Sequence, residues 1–356
     1  MRLAVFLLLA SLALSAPASE TLPDYSPGEP LAGVIRNYGN GWAGMLQKWE
    51  DGFRQYHPEV RFEDTLPTSD AAFPALITGV TDLAPNGSEP ALTETLGFYE
   101  VYGYHPTAIT VASGSFDTEG RSPGIVVFVH QDNPISQLTL EQLDGIFGSS
   151  RNGGLRGFKW TLEDARGADQ DIRSWGDLGL QGEWAVQPIN TYGHAPSGAS
   201  RFFQYMILRN SDKWNPNYRG YVETGSKMIG ESDQQAQRGG IRFMLEHELA
   251  QDLYGIAWTI MPQAKGIEGI KPVALAKSAA GPFIAPSDEN FRSREYPMVR
   301  SIYIYLNRKP GTAVPALQRE FLHYILSAQG QAIVADGSGF LPLPAAHAAE
   351  QRAKLD

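Results

Sequence analysis

Apolar residues recur along this chain in two alternating rhythms. Trp42, Met45, Leu46, Trp49 and Phe53 follow a spacing of three and four, which predicts a helix. His57-Pro58 ends it, and Val60 to Phe62 begins a strand. The turn Pro67-Thr68-Ser69-Asp70 opens a short helix bearing Phe73, Leu76 and Ile77, which Gly79 closes. Asp82-Leu83-Ala84 reads as a short strand running into Pro85-Asn86-Gly87-Ser88. Ile125 to Val129 is an unbroken β-branched and aromatic run, the mark of a buried strand. Leu138 to Phe147 follows as a helix: Thr139 and Gln142 fit a capping box, and Leu140, Leu143, Ile146 and Phe147 form the apolar face. Residues 149 to 185 are Gly-, Arg- and Trp-rich and read as loop. Helices are predicted again at Ser200 to Leu208, at Ile241 to Leu253 and after Pro315, with a second buried strand at Ile302 to Leu306. This alternation of strand and helix places the chain in the α/β class.

The two buried strands bracket the middle of the chain. A chain that crosses from one lobe to another and later returns needs two such connections. That division assigns residues 19–125 and 300–344 to one lobe and 126–299 to the other. Residues 19 to 31 read as a loose leader and 345–356 as a C-terminal tail.

Before the leader stands a different pattern. Met1-Arg2 is basic, Leu3 to Leu14 is apolar apart from one serine, and Ala16-Pro17-Ala18 has the small-x-small form of a cleavage site. The stretch is short for a membrane span, which needs ~20 residues, so residues 1–18 are read as a signal peptide; a retained anchor is the competing reading. Cleavage after Ala18 removes Arg2 and takes the formal charge from −10 to −11. So acidic a chain disfavours nucleic acid and anionic lipid as partners. It contains no cysteine, which excludes disulfides, thiolate metal sites and Cys nucleophiles. A bacterial periplasm suits such a chain.

Candidate chemistry sits in turns that open helices. Asn40-Gly41, Ser69 and Ser197-Gly198-Ala199-Ser200-Arg201 supply hydroxyls, an amide, glycines and one guanidinium. Helix starts carry free N–H groups and partial positive charge, so three of them could hold a small anion. The same residues serve equally well as ordinary N-caps. Enzyme motifs fail on inspection. His247-Glu248 begins like a zinc-protease helix, but Gln251 stands where the second His is needed. No Gly-x-Ser-x-Gly elbow occurs, and the seven histidines show no ligand spacing.

Several stretches resemble the phosphate-binding proteins of bacterial ABC importers: ALITGVTDLAP (75–85), VYGYHPTAITVASGSFDTEG (101–120), VVFVHQDNPISQLTLEQLDGIFG (126–148), WGDLGLQGEWAVQPINTYG (175–193), YPMVRSIYIYLNRKPG (296–311) and EFLHYILSAQGQAIVADGSGFLPLP (320–344). The resemblance implies the two-lobed α/β fold of type II periplasmic binding proteins, with the ligand in the cleft. It implies phosphate or a related oxyanion as ligand, an ABC permease as partner, no cofactor and no catalysis. The family's first serine falls on Ser69. Its Ser-Gly-Thr turn falls on Ser197, Gly198 and Ala199, with the lost hydroxyl displaced to Ser200 beside Arg201. Its first-turn threonine falls near Gly41, next to Asn40. Ser88 and His194 stand where arginines are common. An arginine–anion bond is about twice as strong as a neutral one, so these departures weaken the expected site and make it pH-sensitive through His194. Two alternatives stay open: a structural or signalling protein that keeps the fold without transport, and a binder of an uncharged organic ligand.

Overall fold

The computed structural model describes residues 21–156, 159–223 and 240–356. In chain order the first part holds β1 (Ala32–Tyr38), α1 (Met45–Arg54), β2 (Glu59–Thr65), α2 (Ala72–Ile77), β3 (Ala84–Asn86), α3 (Leu92–Tyr102) and β4 (Thr107–Ser113). The middle holds β5 (Ile125–His130), β6 (Gln137–Thr139), α4 (Leu140–Phe147), β7 (Gly154–Arg156), β8 (Lys159–Thr161), β9 (Asn190–His194), α5 (Gly198–Met206), β10 (Arg219–Tyr221), α6 (Ile241–His247), β11 (Gly255–Ile260), α7 (Met261–Ala264), β12 (Ile270–Pro272), β13 (Ala274–Ala276) and α8 (Asp288–Arg292). The chain then runs through β14 (Ser301–Leu306), α9 (Ala316–Ile325), α10 (Ala328–Ala335) and α11 (Ala345–Arg352).

Two lobes result, each built on a sheet. β14 lies between β3 and β4, antiparallel to both. β1 pairs parallel with β2 and touches the start of this sheet through an Asn37–Leu83 bridge. α1 buries Met45, Leu46, Trp49 and Phe53 against this lobe, each side chain worth about 1.5–3 kcal/mol of transfer free energy. The other lobe is a five-stranded sheet in the order β10-β9-β11-β5-β12. β5 and β11 are its centre. Ile125 to Val129 and all of Gly255–Ile260 are buried, as β-branched and aromatic runs covered on both faces require.

The apolar clusters follow the lobes. One draws on Ile125 to Val299 with Leu341; the largest cluster of the other runs from Tyr25 to Ala112 and from Ile302 to Leu355. The two crossings lie side by side. Gly114 N donates to Arg300 O at 3.0 Å, and Ile125 N donates to Met298 O at 3.1 Å. Arg294 ties the crossings together, donating to Ser113 Oγ at 2.5 Å and Ser301 Oγ at 2.9 Å.

Both ends of the described chain depart from the sequence reading. Residues 345–356, given above as a C-terminal tail, are folded onto the body: α11 packs on β4, Gln351 Oε1 accepts from Thr110 N at 3.0 Å, and Leu355 is fully buried. The leader is pinned at Tyr25, whose hydroxyl meets His57 Nε2 at 2.7 Å and Glu320 Oε2 at 3.0 Å. The expected signal peptide lies outside the described residues. No helix among those described is long and apolar enough to cross a membrane.

Candidate functional site

The turn after β1 is tightly specified. Gly39 has φ +151°, and a Cβ there would stand 2.1 Å from Pro85 O, so only glycine fits. Asn40 N donates to Pro85 O at 2.9 Å, and Asn40 Oδ1 accepts from Trp42 N at 2.8 Å. Trp42 and Ala43 both hold positive φ, at 48° and 53°. Such a conformation costs roughly 1–3 kcal/mol per residue and persists only where surroundings enforce it. Here the indole does so: it is buried and packs edge-on against Trp49, with centroids 5.9 Å apart. Its Nε1–H is buried without a hydrogen-bond partner.

Ser69 joins this turn to the next. Its Oγ accepts from Asn40 Nδ2 and from Gly87 N, both at 3.1 Å. A hydroxyl has two acceptor lone pairs and one proton. With both lone pairs engaged, the proton of Ser69 is left to donate. Trp42 Nε1, Ser122 Oγ and Ser69 Oγ all crowd the open side of Gly87, within 3.3–3.5 Å of where a Cβ would sit. Ser122 itself donates to Gly87 O at 2.7 Å. Gly41 contributes backbone only, packed against Leu66. Ser88 is buried and spends both its N–H and its hydroxyl on Asn86 Oδ1, at 3.1 and 3.2 Å.

The other lobe presents the start of α5. Ser197 and Ser200 form a reciprocal capping box: Ser197 N donates to Ser200 Oγ at 2.7 Å and Ser200 N donates to Ser197 Oγ at 3.3 Å. Ser200 Oγ also donates to Ser197 O at 2.9 Å. Its proton therefore stays within the turn, unlike that of Ser69. The first-turn N–H groups of Gly198 and Ala199 are donors that the helix itself does not use. Arg201 reaches the opposite lobe, with Nη2 3.3 Å from Asp70 Oδ1, while its Nε stays buried and unpartnered.

His194 requires a correction. It ends β9 inside the five-stranded sheet and is 1% exposed. Its ring stacks on Trp258 at 5.1 Å, and Nε2 meets Thr259 Oγ1 at 2.9 Å. Burial, with a smaller push from the Arg300 charge, drives its pKa down to about 3. It is a neutral ring at any ordinary pH, so the expected pH-sensitive cation is absent at this position.

A buried positive charge does stand beside the α5 turn, on a residue that the sequence reading passed over. Arg300 lies at the second crossing, buried, with Nη2 3.9 Å from the Cβ position of Gly198 and 3.5 Å from Glu89 Oε2. Its guanidinium also lies over the Phe202 ring at 5.5 Å. Glu89 is 3% exposed, and neither of its oxygens has a hydrogen bond. Burial pushes its carboxyl above the ordinary range, and Arg300 pulls it back. Local spacing could not reveal this pair, because 211 positions separate its members. Among the described residues no three His, Cys, Asp or Glu side chains are placed to hold a metal ion.

Compared with known proteins, the chain is 30% identical over 326 residues to the phosphate-binding protein PstS of Pseudomonas aeruginosa, covering 91% of this chain and 87% of that one. The chain belongs to the PstS phosphate-binding protein family. A PstS of Staphylococcus saprophyticus is 22% identical over 350 residues, covering 98% of this chain and 91% of that one. Among solved structures, PstS from Borrelia burgdorferi aligns with a TM-score of 0.49 and 14% identity over 87% of this chain and 98% of that one. No family model matches. In this PstS family member Ser88 and His194 are buried and hydrogen-bonded within their own lobes, and a buried guanidinium stands beside the α5 turn at position 300.

Proposed function

We propose that this chain captures phosphate or a related oxyanion in the cleft between its lobes and delivers it to an ABC permease. It acts outside the cytoplasm, is exported by residues 1–18, and divides into lobes near residues 125 and 300. It is a binding protein without catalysis or cofactor. The observation that carries the reading is the set of unspent donors offered by both lobes: the Ser69 hydroxyl, Trp42 Nε1, the first turn of α5, and the Nε groups of Arg201 and Arg300. Donors fixed beforehand suit an oxyanion, since charge-assisted hydrogen bonds are about twice as strong as neutral ones. Family membership supports the same ligand. An uncharged ligand, or a fold retained without transport, leaves the buried Arg300 cation and its neighbour Arg201 unexplained.

A thermal-shift panel of phosphate, sulfate and arsenate on the mature protein tests this reading. A ligand at 100 times its Kd stabilises the native state by about 2.7 kcal/mol, so the melting temperature rises. No shift with any oxyanion at millimolar concentration overturns it.

A further inference from the structure

Resting on the oxyanion reading, one cavity in the cleft says more about the ligand. It has a volume of about 120 Å³ and is lined from both lobes. Leu92, Tyr303 and Tyr305 face it from one side, Leu155 and Tyr205 from the other, and Glu89 forms part of the wall. The Glu89 carboxylate offers up to about four acceptor positions, and among the described residues the nearest charged partner of its side chain is Arg300 Nη2 at an ion-pair distance of 3.5 Å. A buried acceptor without donors is costly, and an N–H-bearing ligand group relieves that cost.

The surroundings select the kind of donor. Three phenol rings beside a carboxylate suit an organic ammonium: ring faces attract cations within about 6 Å, and the carboxylate supplies the countercharge. Arg300 connects this cavity to the anion turns. Its guanidinium lies 3.5 Å from Glu89 and 3.9 Å from the Cβ position of Gly198 at the start of α5. An oxyanion that engages Arg300 competes with Glu89 for that charge. An ammonium on the same ligand then replaces what Glu89 loses. Charges along the cleft run in the matching order, with cationic Arg201 and Arg300 at the turns and anionic Glu89 at the cavity.

We propose that the cleft takes a zwitterion, an oxyanion joined by a short carbon chain to an ammonium group, with the ammonium seated among Glu89, Tyr205, Tyr303 and Tyr305. An inorganic oxyanion fills only the turns.

Isothermal titration calorimetry on the mature chain tests this with inorganic phosphate, ethylphosphonate and 2-aminoethylphosphonate. The ammonium compound is expected to bind about tenfold more tightly than its alkyl counterpart, the worth of one charge-assisted contact. Glu89→Gln brings that ratio close to one. Ala108→Leu, which fills the cavity from β4, weakens 2-aminoethylphosphonate while phosphate binding persists. A wild-type ratio near one overturns the proposal, as does a ratio that survives both substitutions. A response to phosphate without ammonium preference overturns the zwitterion alone; silence with all three probes overturns the oxyanion reading too.

Discussion

Replacing Arg300 with methionine strands a carboxylate. Glu89 is 3% exposed, has no hydrogen bond to either oxygen, and has Arg300 3.5 Å away, with Arg201 acting on it from farther off. Breaking a buried pair from one side costs about 3–5 kcal/mol, because the remaining charge is left uncompensated. Removing both charges is far cheaper, since the desolvation of both groups is recovered. Arg300→Met should therefore lose about 3–5 kcal/mol, and Arg300→Met with Glu89→Gln should regain most of it. The loss should also depend on pH. The folded-state pKa of Glu89 is raised above its unfolded value, so the folded protein holds this proton more tightly. Stability from that source is present at low pH and falls as pH rises from about 4.3, the free-glutamate value, through the folded pKa. Without Arg300 the folded pKa climbs further, so the single variant is closest to wild type in acid. Urea titrations followed by circular dichroism at pH 4.5 and 7.5 measure all of this. A single-variant loss under about 1 kcal/mol, or a double variant no more stable than the single, refutes the coupling.

Ser69→Ala removes the free hydroxyl proton and strips Asn40 Nδ2 and Gly87 N of their acceptor; phosphate affinity should fall roughly 10–100-fold by calorimetry, and an unchanged Kd means the hydroxyl does not face the ligand. The His194 pKa is depressed to about 3, so the neutral ring favours folding above the free value near 6.5 and that stability drains away as pH falls toward 3. His194→Gln should flatten stability against pH in that window, yet leave the pH dependence of sulfate binding between pH 5.5 and 8 as in wild type. Asp70→Asn breaks a bridge to Arg201 whose side chains are 34% and 68% exposed. Screening makes such a bridge worth about 0–1 kcal/mol, so chemical denaturation should hardly register the change, and a large loss would show the two lobes to be locked by this contact.

Legibility in the sequence tracked how local each cause is. β5 and β14 were readable because every residue that makes them strands lies within them. The capping box of α4 was readable for the same reason: Thr139 Oγ1 accepts from Gln142 N at 3.0 Å, and Gln142 Oε1 accepts from Thr139 N at 2.9 Å. The helix expected from Ile241 to Leu253 stops at His247; a single tighter turn, Leu249–Gln251, follows, and Asp252 is already extended. His194 was expected in the cleft because the family resemblance sets an arginine there. Its burial comes from β11 and Trp258, more than 60 positions away. The same limit hid Arg300 and the free indole of Trp42. Each acquires its role only when the two crossings and three turns are brought together.

An acidic chain that binds an anion must hide the ligand from its own field. The formal charge is −10, yet repulsion between exposed charges fades beyond a Debye length of about 8 Å at physiological salt. Short-range donors inside a closed cleft escape most of that screening, and their strength rises as water leaves. Anion binding is therefore compatible with Ser88 and His194 at the positions where the family resemblance puts arginines. Under the proposed function, Arg300 supplies the buried charge from the crossing between lobes. Placement there has a mechanical consequence. A guanidinium at the crossing stays near α5 while still touching Glu89 of the other lobe. A ligand that grips it is held by both lobes at once. Affinity and closure then depend on the same side chain.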